Sequence, residues 1–221
     1  MSTRKASLLQ KSEYERHFTD AGYRQIAGVD EVGRGALAGP LVAAAVILPP
    51  PDALLRDLDF WCAVQDSKTI PHARRTVLAA GIRERAQSVS IAAIPSALLD
   101  EIGVGPANRM AMELAVHGLP SPPDLLLIDA MTLDIGLPQV GIIDGDALSL
   151  SIAAASIVAK VTRDATMCEL DTVFPAFGFA AHKGYGVARH LEALQAHGPC
   201  EHHRRTFSPV RLSMERFHVR P

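Results

Sequence analysis

Apolar positions along the chain fall into short unbroken runs closed by acids, glycines or prolines, and helical spacing takes over between them. Residues 24–32 and 40–48 are two Val/Ile/Ala-rich runs joined by a glycine-rich loop, with Pro49-Pro50-Pro51 ending the second; this predicts an antiparallel hairpin. Phe60 to Gln65 reads as a further short strand that delivers Asp66-Ser67-Lys68 to a loop. Ser88 to Ile94 alternates as an edge strand does. Asp124 to Asp129 is continuously apolar between its two acids, the mark of a strand covered on both faces, and Val140 to Ile143 is a shorter run leading into Asp144-Gly145-Asp146.

Between these runs the spacing is three to four. Residues 6–20, with Leu8, Leu9, Tyr14 and Phe18, predict an amphipathic N-terminal helix stopped at Gly22. Pro71 opens a helix to about Gln87, and Pro95 and Pro106 open two more, the second turning Met110, Leu114 and Ala115 inward. Leu148 to about Leu170 carries the strongest helical signal, with a polar stripe of Ser156, Lys160 and Arg163. Pro175 to Gly186 reads as a loop, Val187 to His197 as a helix, and the basic remainder as irregular. This order of strands and helices is that of an α/β protein with a mixed sheet flanked by helices.

Three of the apolar runs end in carboxylates: Asp30-Glu31, Asp129 and, past a short turn, Asp146. Adjacent acids at the end of an apolar run lose hydration and repel each other unless a cation or proton intervenes, and hard oxygen ligands suit Mg²⁺ or Mn²⁺ better than zinc. Successive residues of a regular strand face opposite ways, so Asp30 and Glu31 share a site only where the strand ends or bulges. An ordinary strand closing in a polar turn remains open at this point. Gly33 and Gly35 flank Arg34 in a loop whose backbone can approach a ligand closely, which suits a phosphate or sugar.

Composition narrows the setting. With 221 residues, 48% of them apolar and a formal net charge of −2, the chain is that of a globular protein able to bury one sizeable core, not of one that coats nucleic acid by bulk charge. We expect residues 1–23 to form an N-terminal helical extension and 24–221 one main domain including a C-terminal helical region. Cys62, Cys168 and Cys200, odd in number and widely spaced, suit reduced thiols, and with no leader or spanning segment in view the expected setting is the cytoplasm, away from membranes. Cys200 with His202 and His203 fits no standard zinc spacing, so packing and phosphate contact are the expected uses of that cluster.

Seven segments in order, Ala27 to Gly35, Asp66-Ser67-Lys68, Leu127-Ile128-Asp129, Gly145-Asp146, Ala153 to Asp164, His182 to Gly186 and Glu201 to Phe207, resemble type 2 ribonuclease H (ribonuclease HII), a likeness running through nearly all of residues 24–211. The resemblance implies a ribonuclease H-like mixed five-stranded sheet flanked by helices, with a C-terminal helical extension, the first strand central and the fourth beside it. It implies that Asp30, Glu31, Asp129 and Asp146 bind two Mg²⁺ or Mn²⁺ ions. The implied reaction is hydrolysis of the RNA strand of an RNA/DNA hybrid, or of duplex DNA on the 5′ side of an embedded ribonucleotide, leaving 5′-phosphate and 3′-hydroxyl ends. It further implies that Gly33, Arg34 and Gly35 test the ribose 2′-hydroxyl, that Tyr185 packs on the next sugar, and that Ser67, Lys68, Lys183, Arg204 and Arg205 contact the substrate, the cations at its phosphates. The expected active form is a monomer.

Two positions depart from the commonest family pattern. Asp144 stands where many relatives carry lysine before the Gly-Asp pair, and Gly103 to Asn108 replaces a more usual Asn-Ile-Leu type of turn. The related type 3 enzymes carry a further N-terminal domain, for which some twenty residues ahead of the first strand leave no room. A hybrid-binding module without catalysis is the alternative from another class, and the presence of all four acids counts against it.

Overall fold

The computed structural model describes residues 3–218. In chain order the elements are α1 (Thr3–Lys11), α2 (Glu13–Asp20), β1 (Ile26–Val32), β2 (Leu41–Ile47), α3 (Pro51–Arg56), α4 (Leu58–Cys62), α5 (His72–Arg85), β3 (Ser88–Ile94), α6 (Ser96–Ile102) and α7 (Val104–His117). They continue as β4 (Leu125–Asp129), β5 (Gln139–Ile142), α8 (Gly145–Leu148), α9 (Leu150–Val173), α10 (Phe179–His182), α11 (Ala188–His197) and α12 (Ser208–Phe217). The chain divides into two compact units, one of Met1–Glu31, Ala43–Ala92 and Ala111–Val161, the other of Val32–Val42, Ala93–Met110 and Thr162–Pro221.

The five strands form one mixed sheet in the order β3-β2-β1-β4-β5, so β1 is central with the fourth strand beside it, as expected. β1 runs parallel to β4 in a register that sets Val29 against Ile128, and β4 runs parallel to β5. One residue beyond that register lie Asp30 and Asp129. Parallel pairing thus carries the two acids to the same end of neighbouring strands, the place where open α/β sheets gather ligand-binding groups.

In the first unit, Ile26, Leu125, Leu127, Ile142 and Ile152 form a buried cluster against which Tyr14, Phe18 and Tyr23 pack. Helix α9 comes very close to β1. A Cβ on Gly28 would lie 2.1 Å from the carbonyl carbon of Ser151. Ala153, Ala154, Ala155 and Ala159, all buried, keep this part of α9 slender. In the second unit, Leu37, Met167, Phe177, Phe179, Leu194, Val210 and Met214 make a core of their own.

Several local expectations are corrected. Residues 60–65 are not a strand: Phe60 to Cys62 belong to α4 and 63–65 leave it as a turn and irregular chain, with Trp61 and Val64 buried three residues apart. The N-terminal helix is two helices that meet at Ser12. On α7 the inward face holds Ala107, Ala111, Met112, Ala115 and Val116, whereas Met110 and Leu114 are exposed. The 175–186 loop contains the short helix α10. The basic tail is helical in α12, because Pro209 suits a first turn while Val210, Ser213 and Met214 supply one buried stripe opposite the charges. Gly103 closes α6 with a φ of +84°, which accounts for glycine in the divergent turn.

Candidate active site

Asp30, Glu31 and Asp129 each place a carboxylate oxygen within 4.8 Å of the others. Both acids lie within β1, but its pairing with β4 stops at Val29–Ile128, and the Asp30 carboxylate turns back to accept from the Glu31 N–H at 2.7 Å. Asp30 is buried, and that burial holds its carboxyl well above the usual range; a hydrogen bond from Ser156 works against this, and the charges of Glu31 and Asp129 add to it. Asp129 is raised for the same first reason, opposed by the Gly145 N–H that donates to its Oδ1 at 2.8 Å and reinforced by Asp146. The donor set is all oxygen, closely spaced, and costly to ionise without a counter-charge. Those features fit Mg²⁺ or Mn²⁺.

Asp146, the fourth acid, is buried outside the three-residue group, yet its charge reaches Asp129 and its Oδ2 pairs with the Lys68 ammonium at 3.1 Å. That contact is the largest cause of the raised pKa of Lys68. Asp144 takes a left-handed conformation at φ +54° and adds further negative potential at Asp129, so the departure at this position strengthens the field instead of neutralising it. Gly145 must be small, since a Cβ there would meet Ile152 at 2.7 Å and the Asp129 Oδ1 at 3.2 Å.

Ser67 is not on the surface. Its hydroxyl meets that of Ser156 at 3.0 Å, and both serines are buried beside Asp30 in a chain of hydroxyls that ends on its carboxyl. Ser67, expected at the substrate, thus lies behind Asp30 and in contact with Ser156.

Two residues of the N-terminal helices also reach this region. Lys11, buried, donates from Nζ to the backbone carbonyl of Asp146 at 2.7 Å. The Glu15 carboxylate accepts from the Ser151 N–H at 2.8 Å and from the hydroxyls of Ser149 and Ser151, satisfying donors at the start of α9. Ser149 just ahead of a long helix is a legible capping signal, but the partner lies more than 130 residues away and nothing local announces it. Lys11→Met, which leaves a buried carbonyl without its donor, is expected to cost about 1–3 kcal/mol in a thermal melt and to raise the Mn²⁺ concentration needed for half-maximal activity. An unchanged metal requirement would remove Lys11 from the support of Asp146.

In the second unit, Gly33 is buried at φ +91°, and a Cβ on it would lie 2.1 Å from Nε of Arg163, while Arg34 and Gly35 are exposed. Arg163 is fully buried and donates to the carbonyls of Pro40, Lys183 and Ala38, with its guanidinium 5.3 Å from the Tyr185 ring centroid. Arg204, expected at a phosphate, is likewise fully buried: it donates to the carbonyls of Gly39 and Arg34, and burial draws it down to about 10. It holds the Arg34 turn in place. Arg205 is exposed, and its backbone N–H donates to Asp100. Lys183 is half-buried, with Nζ on the Ala180 carbonyl and the Cys168 thiol. The three cysteines are free. No described helix is long and apolar enough to cross a membrane.

Comparison with known proteins places this arrangement. Residues 27–212 match the family model for Ribonuclease HII. Ribonuclease HII of Geobacillus thermodenitrificans (strain NG80-2) is 50% identical over 201 residues, covering 91% of this chain and 75% of that protein. Its counterpart in Bacillus thuringiensis (strain Al Hakam) is 45% identical over 208 residues, covering 94% and 78%. Among solved structures, ribonuclease H2 from Pyrococcus horikoshii OT3 aligns with a TM-score of 0.75 at 25% identity, over 89% of this chain and all of that one. Bst-RNase HIII in complex with Mn²⁺ shares the fold at a TM-score of 0.70 and 18% identity, over 99% of this chain and 75% of that one. Both the extent of the match and the acids at the strand ends lead to one conclusion: the chain belongs to the ribonuclease HII family and is a metal-dependent ribonuclease H.

Proposed function

We propose that the chain hydrolyses the RNA strand of RNA/DNA hybrids and cuts duplex DNA on the 5′ side of single embedded ribonucleotides, leaving 5′-phosphate and 3′-hydroxyl ends. The observation that carries this reading is the group of Asp30, Glu31 and Asp129 oxygens within 4.8 Å, with Asp146 electrostatically coupled to it. When bound by these four acids, two Mg²⁺ or Mn²⁺ ions supply Lewis-acid stabilisation of the attacking and leaving oxygens of the phosphodiester.

The protein's own groups have separable roles. Asp30 is presented from a buried position, so its affinity for positive charge is high; Ser156 and Ser67 fix its orientation. Gly145 orients Asp129 through its N–H, and Lys11 holds the backbone at Asp146. The Lys68 side chain, 79% exposed at the end of its bond to Asp146, is available to a phosphate, as are the exposed Arg34 and Arg205. Gly33, Arg34 and Gly35 offer backbone groups to a 2′-hydroxyl, and the half-buried Tyr185 offers a ring face to a sugar.

Gel analysis of end-labelled substrates tests the proposal: a continuous hybrid, a duplex with one ribonucleotide and an all-DNA duplex, each with Mg²⁺, Mn²⁺ or EDTA. Cleavage of the first two, with a single cut 5′ of the lone ribonucleotide, and silence in EDTA are expected. Equal cutting of all-DNA duplex would overturn the role given to Gly33-Arg34-Gly35.

A further inference from the structure

Behind Tyr185 in the second unit lie histidines that the chemistry above does not use. His190 and His203 are buried and their Nε2 atoms are 3.0 Å apart. Each outer nitrogen meets a backbone group whose role is fixed. The Cys200 N–H donates to Nδ1 of His203 at 3.0 Å, and Nδ1 of His190 lies 3.0 Å from the Tyr185 carbonyl, which can only accept. These two ends determine everything between them. His190 must carry its proton on Nδ1, leaving Nε2 as an acceptor; His203 must carry its proton on Nε2, leaving Nδ1 as an acceptor. The result is a one-way chain: Cys200 N–H to His203, His203 to His190, His190 to the Tyr185 carbonyl.

The surroundings keep both rings neutral. Phe179 packs edge-on to His190 at 5.6 Å between centroids and lies 5.5 Å from His203, while Phe177 lies 4.8 Å from His203. His182 stacks on His190 at 4.5 Å, accepting from the Gly184 N–H and facing the Phe177 carbonyl with its other nitrogen. Burial lowers His203 to about 3 and lowers His190 as well. A second proton on either ring would put two N–H groups face to face at 3.0 Å.

We propose that His190 and His203 are positioning residues for substrate discrimination, a neutral relay that clamps the carbonyl of Tyr185 and thereby fixes the ring that packs on the sugar. This rests on the sugar-contacting role of Tyr185 proposed above. The relay acts at the backbone of the tyrosine, whereas Arg163 acts at its ring, so the turn is held at two separate points. A hydrogen bond at a buried carbonyl is worth enough to matter, because losing its donor leaves the acceptor unsatisfied.

Two measurements test it. Ring ¹⁵N shifts of the full-length protein, assigned by the signals lost in H190N, are expected to show the Nδ1–H tautomer for His190 and the Nε2–H tautomer for His203, both still neutral at about pH 6.5, where an ordinary histidine is half protonated. The opposite tautomer at His190, or a doubly protonated ring at about pH 6, overturns the relay. The second compares kcat/KM on the single-ribonucleotide duplex with that on the continuous hybrid. His190→Asn can keep the N–H that faces Tyr185; His190→Gln keeps the contact with His203 and loses that N–H. The ratio is expected to fall about tenfold in His190→Gln and to stay within about threefold of the unaltered enzyme in His190→Asn. Tyr185→Ala separates the two claims. An unchanged ratio in Tyr185→Ala overturns the sugar assignment and with it the relay's part in specificity, whereas a lowered ratio there beside an unchanged one in His190→Gln overturns the relay alone.

Discussion

Replacing Asp30 with asparagine is expected to lower hydrolysis of an RNA/DNA hybrid by about 1000-fold or more while raising the melting temperature of the metal-free chain. The first effect follows from removing a charged oxygen ligand from the group formed with Glu31 and Asp129, equivalent to about 4 kcal/mol of transition-state stabilisation. The second follows from burial. The Asp30 carboxyl is held well above its unfolded range by desolvation, opposed by Ser156 and added to by Glu31 and Asp129. A carboxyl raised on folding contributes stability below its unfolded pKa and loses that contribution as pH rises through the folded one. At neutral pH in EDTA, therefore, Asp30 weighs against folding, and asparagine removes the penalty while keeping a similar shape. Each kcal/mol relieved corresponds to about 2–4 °C in a chain of this size. The unaltered chain should also gain stability between neutral pH and the ordinary carboxylate range, a slope that is shallower in Asp30→Asn. Mg²⁺ should stabilise the unaltered chain more than the variant. Thermal melts with and without metal, beside initial rates, check all of this. A variant that melts lower than its parent, or retains activity within about tenfold, would refute the picture of Asp30 as a strained ligand.

How much of this was legible in the sequence depended on how local the cause was. The apolar runs before Asp30 and Asp129 announce buried strands, and the parallel register of β1 and β4 then brings their ends together. Residues 60–65 misled because a short apolar run has no period of its own; the spacing of three between Trp61 and Val64 means something only once both are seen to be buried. Ser67 and Arg204 sit in segments that resemble substrate-binding ones, yet the same polarity serves buried partners here, a hydroxyl of Ser156 and the carbonyls of Gly39 and Arg34. Residue type cannot separate a phosphate contact from a guanidinium that organises a loop; burial can. Lys11 and Glu15 were invisible for another reason, since each acts on a residue over 130 positions away. The His190–His203 pair needed the backbone ends of the chain of hydrogen bonds before either tautomer meant anything.

Gly28→Ala is expected to cost at least about 3 kcal/mol, and Gly35→Ala less than about 0.5 kcal/mol, although both glycines belong to one ten-residue stretch. A methyl on Gly28 would lie 2.1 Å from the Ser151 carbonyl carbon, 2.4 Å from the Ile152 nitrogen and 2.5 Å from the Ser151 oxygen. These are backbone atoms at the first residues of α9, anchored by Glu15, so no side-chain rotation offers relief. Accommodating the methyl means withdrawing α9 from β1, and with it Ser156, whose hydroxyl supports Asp30. Gly35 is different: nothing lies within 4 Å of its would-be Cβ and its φ is not positive. Melting temperatures should separate the two by at least about 5–10 °C. Activity should divide them in another way, because Gly35→Ala keeps the fold and, on the proposed reading, alters only the face offered to the 2′-hydroxyl. Its loss is expected in kcat/KM on the single-ribonucleotide duplex, at unchanged stability. If Gly28→Ala melts within a few degrees of its parent, α9 is free to move and the close approach to β1 is not what sets the position of the carboxylates. If Gly35→Ala cuts that duplex as its parent does, the 2′-hydroxyl is sensed elsewhere.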